Sequence, residues 1–85
     1  MKFTAEIDIM PLKELLDPQG KAVKLGLSNL GIQGVADVRV GKHITVHLEA
    51  NSEDEAREKV ETACKKMLAN VIMEDYTFQV SPAEG

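Results

Sequence analysis

Few side chains in this chain have the type and spacing that chemistry needs. His43 and His47 stand four residues apart. In the strand their neighbours imply, that spacing puts them ~13 Å apart on one face, too far to share a metal ion. Neither has a carboxylate or cysteine ligand set fixed by spacing, so both read as solvated strand histidines. Cys64 is the only cysteine. One thiol builds neither an internal disulfide nor a zinc cage. Its place at the edge of an apolar helical stripe makes it a small core residue rather than a nucleophile. The acids Glu53, Asp54 and Glu55 fall at the positive end of a helix dipole and have their use there. Gly31-Ile32-Gln33-Gly34 comes after a helix instead of a strand and lacks the geometry of a phosphate cradle. No residue is assigned a catalytic, cofactor-binding or metal-binding role, and no turnover is expected of the chain alone.

The bulk properties narrow the remaining classes. Eighty-five residues make one domain, taken as residues 1–80 with a flexible tail at 81–85. A chain this short buries only ~60% of its unfolded surface, so self-association is a reasonable supplement to its stability. The formal net charge of −4 argues against nucleic acid, since phosphate binding needs a concentrated basic surface. No apolar run approaches the ~18 residues of a membrane helix, and Met1 to Glu6 form no signal core. A cytoplasmic protein with no membrane role is the expectation.

The elements that position these residues can be read from periodicity. Phe3, Ala5, Ile7 and Ile9 alternate with Thr4, Glu6 and Asp8, which is a half-buried strand ended by Pro11. Asp17-Pro18 opens a helix, with aspartate as N-cap and proline at the first helical position. That helix should reach Leu30, stop at Gly31 and bury Val23, Leu27 and Leu30. Leu25 falls on its opposite side. Ala36, Val38 and Val40 then alternate with Asp37 and Arg39, and Ile44, Val46, Leu48 and Ala50 with His43, Thr45, His47 and Glu49. The spacing predicts a hairpin turning at Gly41-Lys42, with glycine at a positive φ. Ser52 to Glu55 form a capping box for a second helix whose stripe is Ala56, Val60, Ala63 and Met67. A last strand covers about 73–80. The order β-α-β-β-α-β predicts an α+β two-layer sandwich of the ferredoxin-like kind. It would have a four-stranded antiparallel sheet with both helices on one face.

That architecture hosts several functions. RNA recognition needs exposed aromatics on the central strands, where this chain has Thr4, Glu6, Asp8, Thr45, His47 and Glu49. Paired cysteines for metal delivery are absent, and an acylphosphatase-like arginine after the first strand is replaced by Pro11-Leu12-Lys13. A small-molecule-sensing regulatory domain of the ACT type remains as an alternative.

Two segments go beyond generic fold logic. Asp17-Pro18-Gln19-Gly20-Lys21-Ala22-Val23, continuing to Leu27, Leu30 and Gly31, and Val35-Ala36-Asp37-Val38-Arg39-Val40-Gly41-Lys42 together resemble the PurS family, the small subunit of phosphoribosylformylglycinamidine synthase. The resemblance implies a non-catalytic subunit of an ATP- and glutamine-dependent ligase in purine biosynthesis. It would pair with itself as a dimer or higher oligomer. It would bridge a large synthetase subunit (PurL-like) and a glutaminase subunit (PurQ-like) and support ammonia transfer. ATP, magnesium and glutamine would be used by those partners, with no cofactor on this chain. Asp17, Gln19, Gly20, Leu25, Arg39 and Lys42 are the candidate partner contacts. Gly20 in a first helical turn costs up to ~1 kcal/mol against alanine, which points to a close backbone approach or a partner contact there.

Overall fold

A computed structural model of the chain describes residues 1–13 and 17–83. Its centre is β1 (Lys2–Pro11), flanked by β2 (Lys42–Glu49) and β3 (Glu74–Pro82) in a three-stranded antiparallel sheet of order β2-β1-β3. The register explains the period-two pattern. Ile7 lies opposite Ile44 and Phe78, and Ala5 opposite Val46 and Val80. One face is therefore apolar across all three strands. The other sets Glu6 against Thr45 and Gln79, and Asp8 against His43 and Thr77. Phe3, Ala5, Ile7 and Ile9 are fully buried and form the middle of the core.

The second helix, α2 (Glu53–Ala63), lies over β1 and β3 on the apolar face. Its start is set by its sequence: Ser52 Oγ accepts the Glu55 N–H at 3.2 Å, and Glu55 reaches back to the Asn51 N–H. Ala56, Val60 and Cys64 are buried as the stripe requires. The stripe then departs from expectation. Cys64–Leu68 form a π-helical turn, closed by the Ala69 N–H on the Cys64 carbonyl at 3.0 Å. The wider turn shifts the facing of its later residues by about one position. Met67, expected in the core, is 83% exposed, and the half-buried Leu68 packs in its place.

The first helix, α1 (Pro18–Asn29), begins and ends as its sequence dictates. Asp17 caps it, Pro18 opens it, and Gly31 lies just beyond its end at φ +84°. Its packing does not match the expectation. Val23 is 44% and Leu30 77% exposed and Leu27 only half-buried, so the stripe expected on the sheet is largely uncovered among the described residues. The molecule is correspondingly long, 51 × 28 × 15 Å, with a radius of gyration of 16.6 Å against about 12 Å for a compact chain of this length. The helix and residues 32–40 form an arm standing off the sheet. With only α2 overhead, Ile44, Val46 and Leu48 on β2 remain half-buried.

The expected fourth strand is the same correction seen from the other side. Residues 35–40 join no strand, and Gly41 holds no positive φ. Instead of reversing at Gly41, the chain runs straight into β2. Continuing the β1–β2 register sets Val40 beside Pro11 and Arg39 beside Leu12. Pro11 has no N–H to extend that ladder, and the Val40 N–H is taken by a side chain. Three strands and one packed helix thus replace four strands under two helices. At the other end β3 runs on through Ser81 and Pro82, opposite Thr4 and Phe3. Those two residues belong to the sheet, while 84–85 lie outside the described residues.

Candidate partner interface

The segments from Asp17 to Gly20 and from Val38 to Lys42 meet at the root of the arm. Asp17 uses both carboxylate oxygens. Oδ1 accepts the Gly20 N–H at 3.0 Å, which is the helix cap, and Oδ2 accepts the Val40 N–H at 2.8 Å. These two donated bonds, the Gly20 one first, hold the Asp17 carboxyl below its ordinary pKa. Gly20 is buried because the 38–40 segment passes over it. A Cβ there would fall inside the Val38 carbonyl oxygen and stand 2.9 Å from Asp17 Oδ2. This is the close backbone approach that glycine permits and any other residue blocks.

Arg39 ties the same segment to the end of β1. Its guanidinium donates to the carbonyl oxygens of Pro11 and Leu12, and to that of Lys13 at 3.3 Å. Leu12 in turn donates to the Met73 carbonyl at 2.9 Å, which anchors the strand end to the loop before β3. The fork of N–H donors on one planar group suits three successive carbonyls in a way an ammonium does not. Lys42 sits just beyond, 3.8 Å from Glu74 across the sheet. Gln19 and Leu25 are exposed. Gln19 borders an open groove of about 320 Å³ with Pro11, Asp17, Val40, Met73 and Glu74. Five of the six candidate residues thus gather around one junction, and Leu25, on α1, stands apart on the arm.

A second constellation was not legible in the spacing. On the outer face of the sheet His43 lies between two carboxylates of β1. Its Nδ1 meets Asp8 at 2.6 Å and its Nε2 meets Glu6, which also accepts from Thr45 Oγ1 at 2.8 Å. Only the imidazolium donates from both nitrogens. The Asp8 bond first, then the Glu6 bond, raises the His43 pKa above its ordinary value, and His43 lowers that of Glu6. The partners come from another strand, so only the β1–β2 register brings them together. His47 pairs separately with Thr4 Oγ1 at 3.2 Å. Cys64 is buried, and desolvation raises its thiol pKa. No group of three or more His, Cys, Asp or Glu side chains among the described residues is arranged to hold a metal ion.

The polar side chains of the junction, Asp17 and Arg39, are spent on backbone groups of their own chain. Comparison with known proteins places the whole chain in a family. The family model for PurS, phosphoribosylformylglycinamidine (FGAM) synthase, matches residues 4–82. The chain belongs to the PurS family. PurS is the small subunit of phosphoribosylformylglycinamidine synthase, in purine biosynthesis. The PurS subunit of Synechocystis is 45% identical over 71 residues, covering 84% of this chain and 71% of that one. The PurS subunit of Methanocaldococcus jannaschii is 34% identical over 96% of this chain and 99% of that one. The crystal structure of the latter matches this fold with a TM-score of 0.83 at 33% identity, over 96% of this chain and 99% of that one. A chain in the structure of PurLQS from Thermotoga maritima matches with a TM-score of 0.86 at 28% identity, over 95% of this chain and 99% of that one. Because the two structural matches span 96% and 95% of the chain, they include the arm as well as the sheet.

Proposed function

We propose that the chain is the joining subunit of phosphoribosylformylglycinamidine synthase. It holds an ATP-dependent synthetase (PurL-like) and a glutaminase (PurQ-like) together and supports passage of ammonia between them, with no active site of its own. The observation that carries this reading is the recurrence of its fold, arm included, in PurLQS. ATP, magnesium and glutamine are handled by the partner subunits, in the cytoplasm. Gln19, Leu25 and Lys42, exposed beside the junction and on the arm, are its candidate partner contacts.

The chain also pairs with itself in this reading. Among the described residues the apolar side of α1 is largely uncovered, and the apolar face of β2 lacks the second helix that a two-layer sandwich would place there. An arm from a second copy supplies what each copy lacks. Two such exchanges in one pair are related by a two-fold axis and leave no open end.

The test is reconstitution. Glutamine-dependent amidine formation should appear only when this chain is mixed with both partner subunits. Full rate from the two partners without it would overturn the reading. Saturable stabilisation of the isolated chain by a free amino acid or nucleotide would favour a ligand sensor instead.

A further inference from the structure

We infer that Asp17 and Arg39 are positioning residues whose task is to aim α1, so that self-pairing is controlled by side chains spent inside their own chain. The inference rests on the exchange of arms between two copies and adds what sets its geometry.

Among the described residues the arm has little else to hold it. On its apolar side Val23 and Leu30 are exposed, and α1 makes at most marginal contact with the sheet. What joins it to the sheet, among the described residues, is the 38–40 segment. On one side that segment is fixed to the start of α1 by Asp17 Oδ2 on the Val40 N–H and by the close passage of Val38 over Gly20. On the other it is fixed to the end of β1 by Arg39 on three carbonyl oxygens. A third tether, Lys24 Nζ on the Ala36 carbonyl at 3.0 Å, runs between the helix and the returning chain and does not reach the sheet. Arg39 is thus the link from segment to sheet, and Asp17 the link from segment to helix.

Leverage makes these links decisive. Twelve residues of helix span about 18 Å. A swing of about 20° at the root moves the far end by about 6 Å, more than the ~4 Å reach of an apolar contact. An arm free to swing cannot keep Val23, Leu27 and Leu30 in register with a partner's sheet. An arm held at its root arrives with that orientational entropy already lost, and the association it makes is tighter for that reason.

The experiment compares the parent with Arg39→Gln, Arg39→Lys and Asp17→Asn. Self-association is measured by sedimentation equilibrium, arm rigidity by steady-state ¹⁵N NOE of α1, and sheet integrity by amide shifts of β1, β2 and β3. Arg39→Gln should weaken association at least ten-fold and lower the α1 NOE while the sheet shifts away from residues 10–13 stay in place. Arg39→Lys, which keeps the charge but loses the fork, should fall between. Asp17→Asn is close in shape and should weaken association in the same direction, and it carries the test should Arg39→Gln fail to fold. Parent-like association together with a rigid α1 in both Arg39→Gln and Asp17→Asn would overturn the inference. A parent that is monomeric at high concentration would instead overturn the paired reading. The aiming role would then stand or fall on the NOE alone, and α1 as rigid in Arg39→Gln as in the parent would overturn it.

Discussion

Replacing Gly20 with alanine tests the junction where sequence preference and tertiary contact oppose each other. In an isolated helix the change stabilises, by about 1 kcal/mol, because alanine is the better helix former. Here the added methyl meets the Val38 carbonyl oxygen well inside contact distance, and Asp17 Oδ2 at 2.9 Å. The obstacle is backbone, which has no rotamer to escape into, so the cost lies toward the upper part of the ~1–3 kcal/mol typical of overpacking. The balance is a net loss of about 1–2 kcal/mol, or about 4–16 °C in Tm for a domain of this size. The damage is also local. The 38–40 segment must lift by about 1 Å to clear the methyl, which takes the Val40 N–H beyond hydrogen-bonding range of Asp17. Amide hydrogen exchange read by NMR should show Ile7 in mid-sheet about 5- to 30-fold faster, as the global change requires, and Val40, whose hydrogen bond is lost, accelerated by more than Ile7. Parent-like exchange at Val40, or a Tm at or above the parent's, would refute the close-approach argument for Gly20.

Two further outcomes concern other parts of the fold. The His43 imidazole should titrate by NMR with a midpoint above 6.5, moved back down by Asp8→Asn or Glu6→Gln. Because its folded pKa is raised, its stabilising contribution is complete below the unfolded value and is lost as pH rises through the folded one. A midpoint at or below 6.5 would show that the two-carboxylate bridge does not form. The π-helical turn makes a paired prediction: Met67→Lys should leave Tm within about 2 °C, as surface changes do, whereas Leu68→Lys buries part of a charged chain against the core and should lower it by several degrees. Equal effects would mean that the helix continues without the wider turn.

Much of the local structure was legible in the order of the residues. Helix ends depend on backbone groups a few residues apart, so Asp17, Pro18, Gly31 and Ser52 mark them wherever the helix packs. Strand alternation in β1, β2 and β3 reports a half-buried face whatever the partner, and the charged, polar other face was equally plain. The family resemblance lay in Asp17 to Gly20 and Arg39 to Lys42, the segments that form the junction.

What the sequence left undecided was where each apolar stripe goes. Val23, Leu27 and Leu30 say only that α1 has a side to bury. They do not say whether the surface that buries it belongs to the same chain. A compact two-layer sandwich was the natural answer for a single chain, and an arm is what the structure shows. Alternation over Ala36 to Val40 likewise fits a strand, yet strand formation needs free backbone donors and acceptors beside it. Here Pro11 offers no N–H, Asp17 takes the Val40 N–H, and Arg39 occupies the neighbouring carbonyls. His43 gained its two carboxylates only through cross-strand register. By itself, then, the sequence determined the caps, the strand faces and the family. Only the tertiary structure decided the strand count, the free arm and the employment of Asp17, Gly20 and Arg39, because each depends on contacts between residues some twenty to forty positions apart.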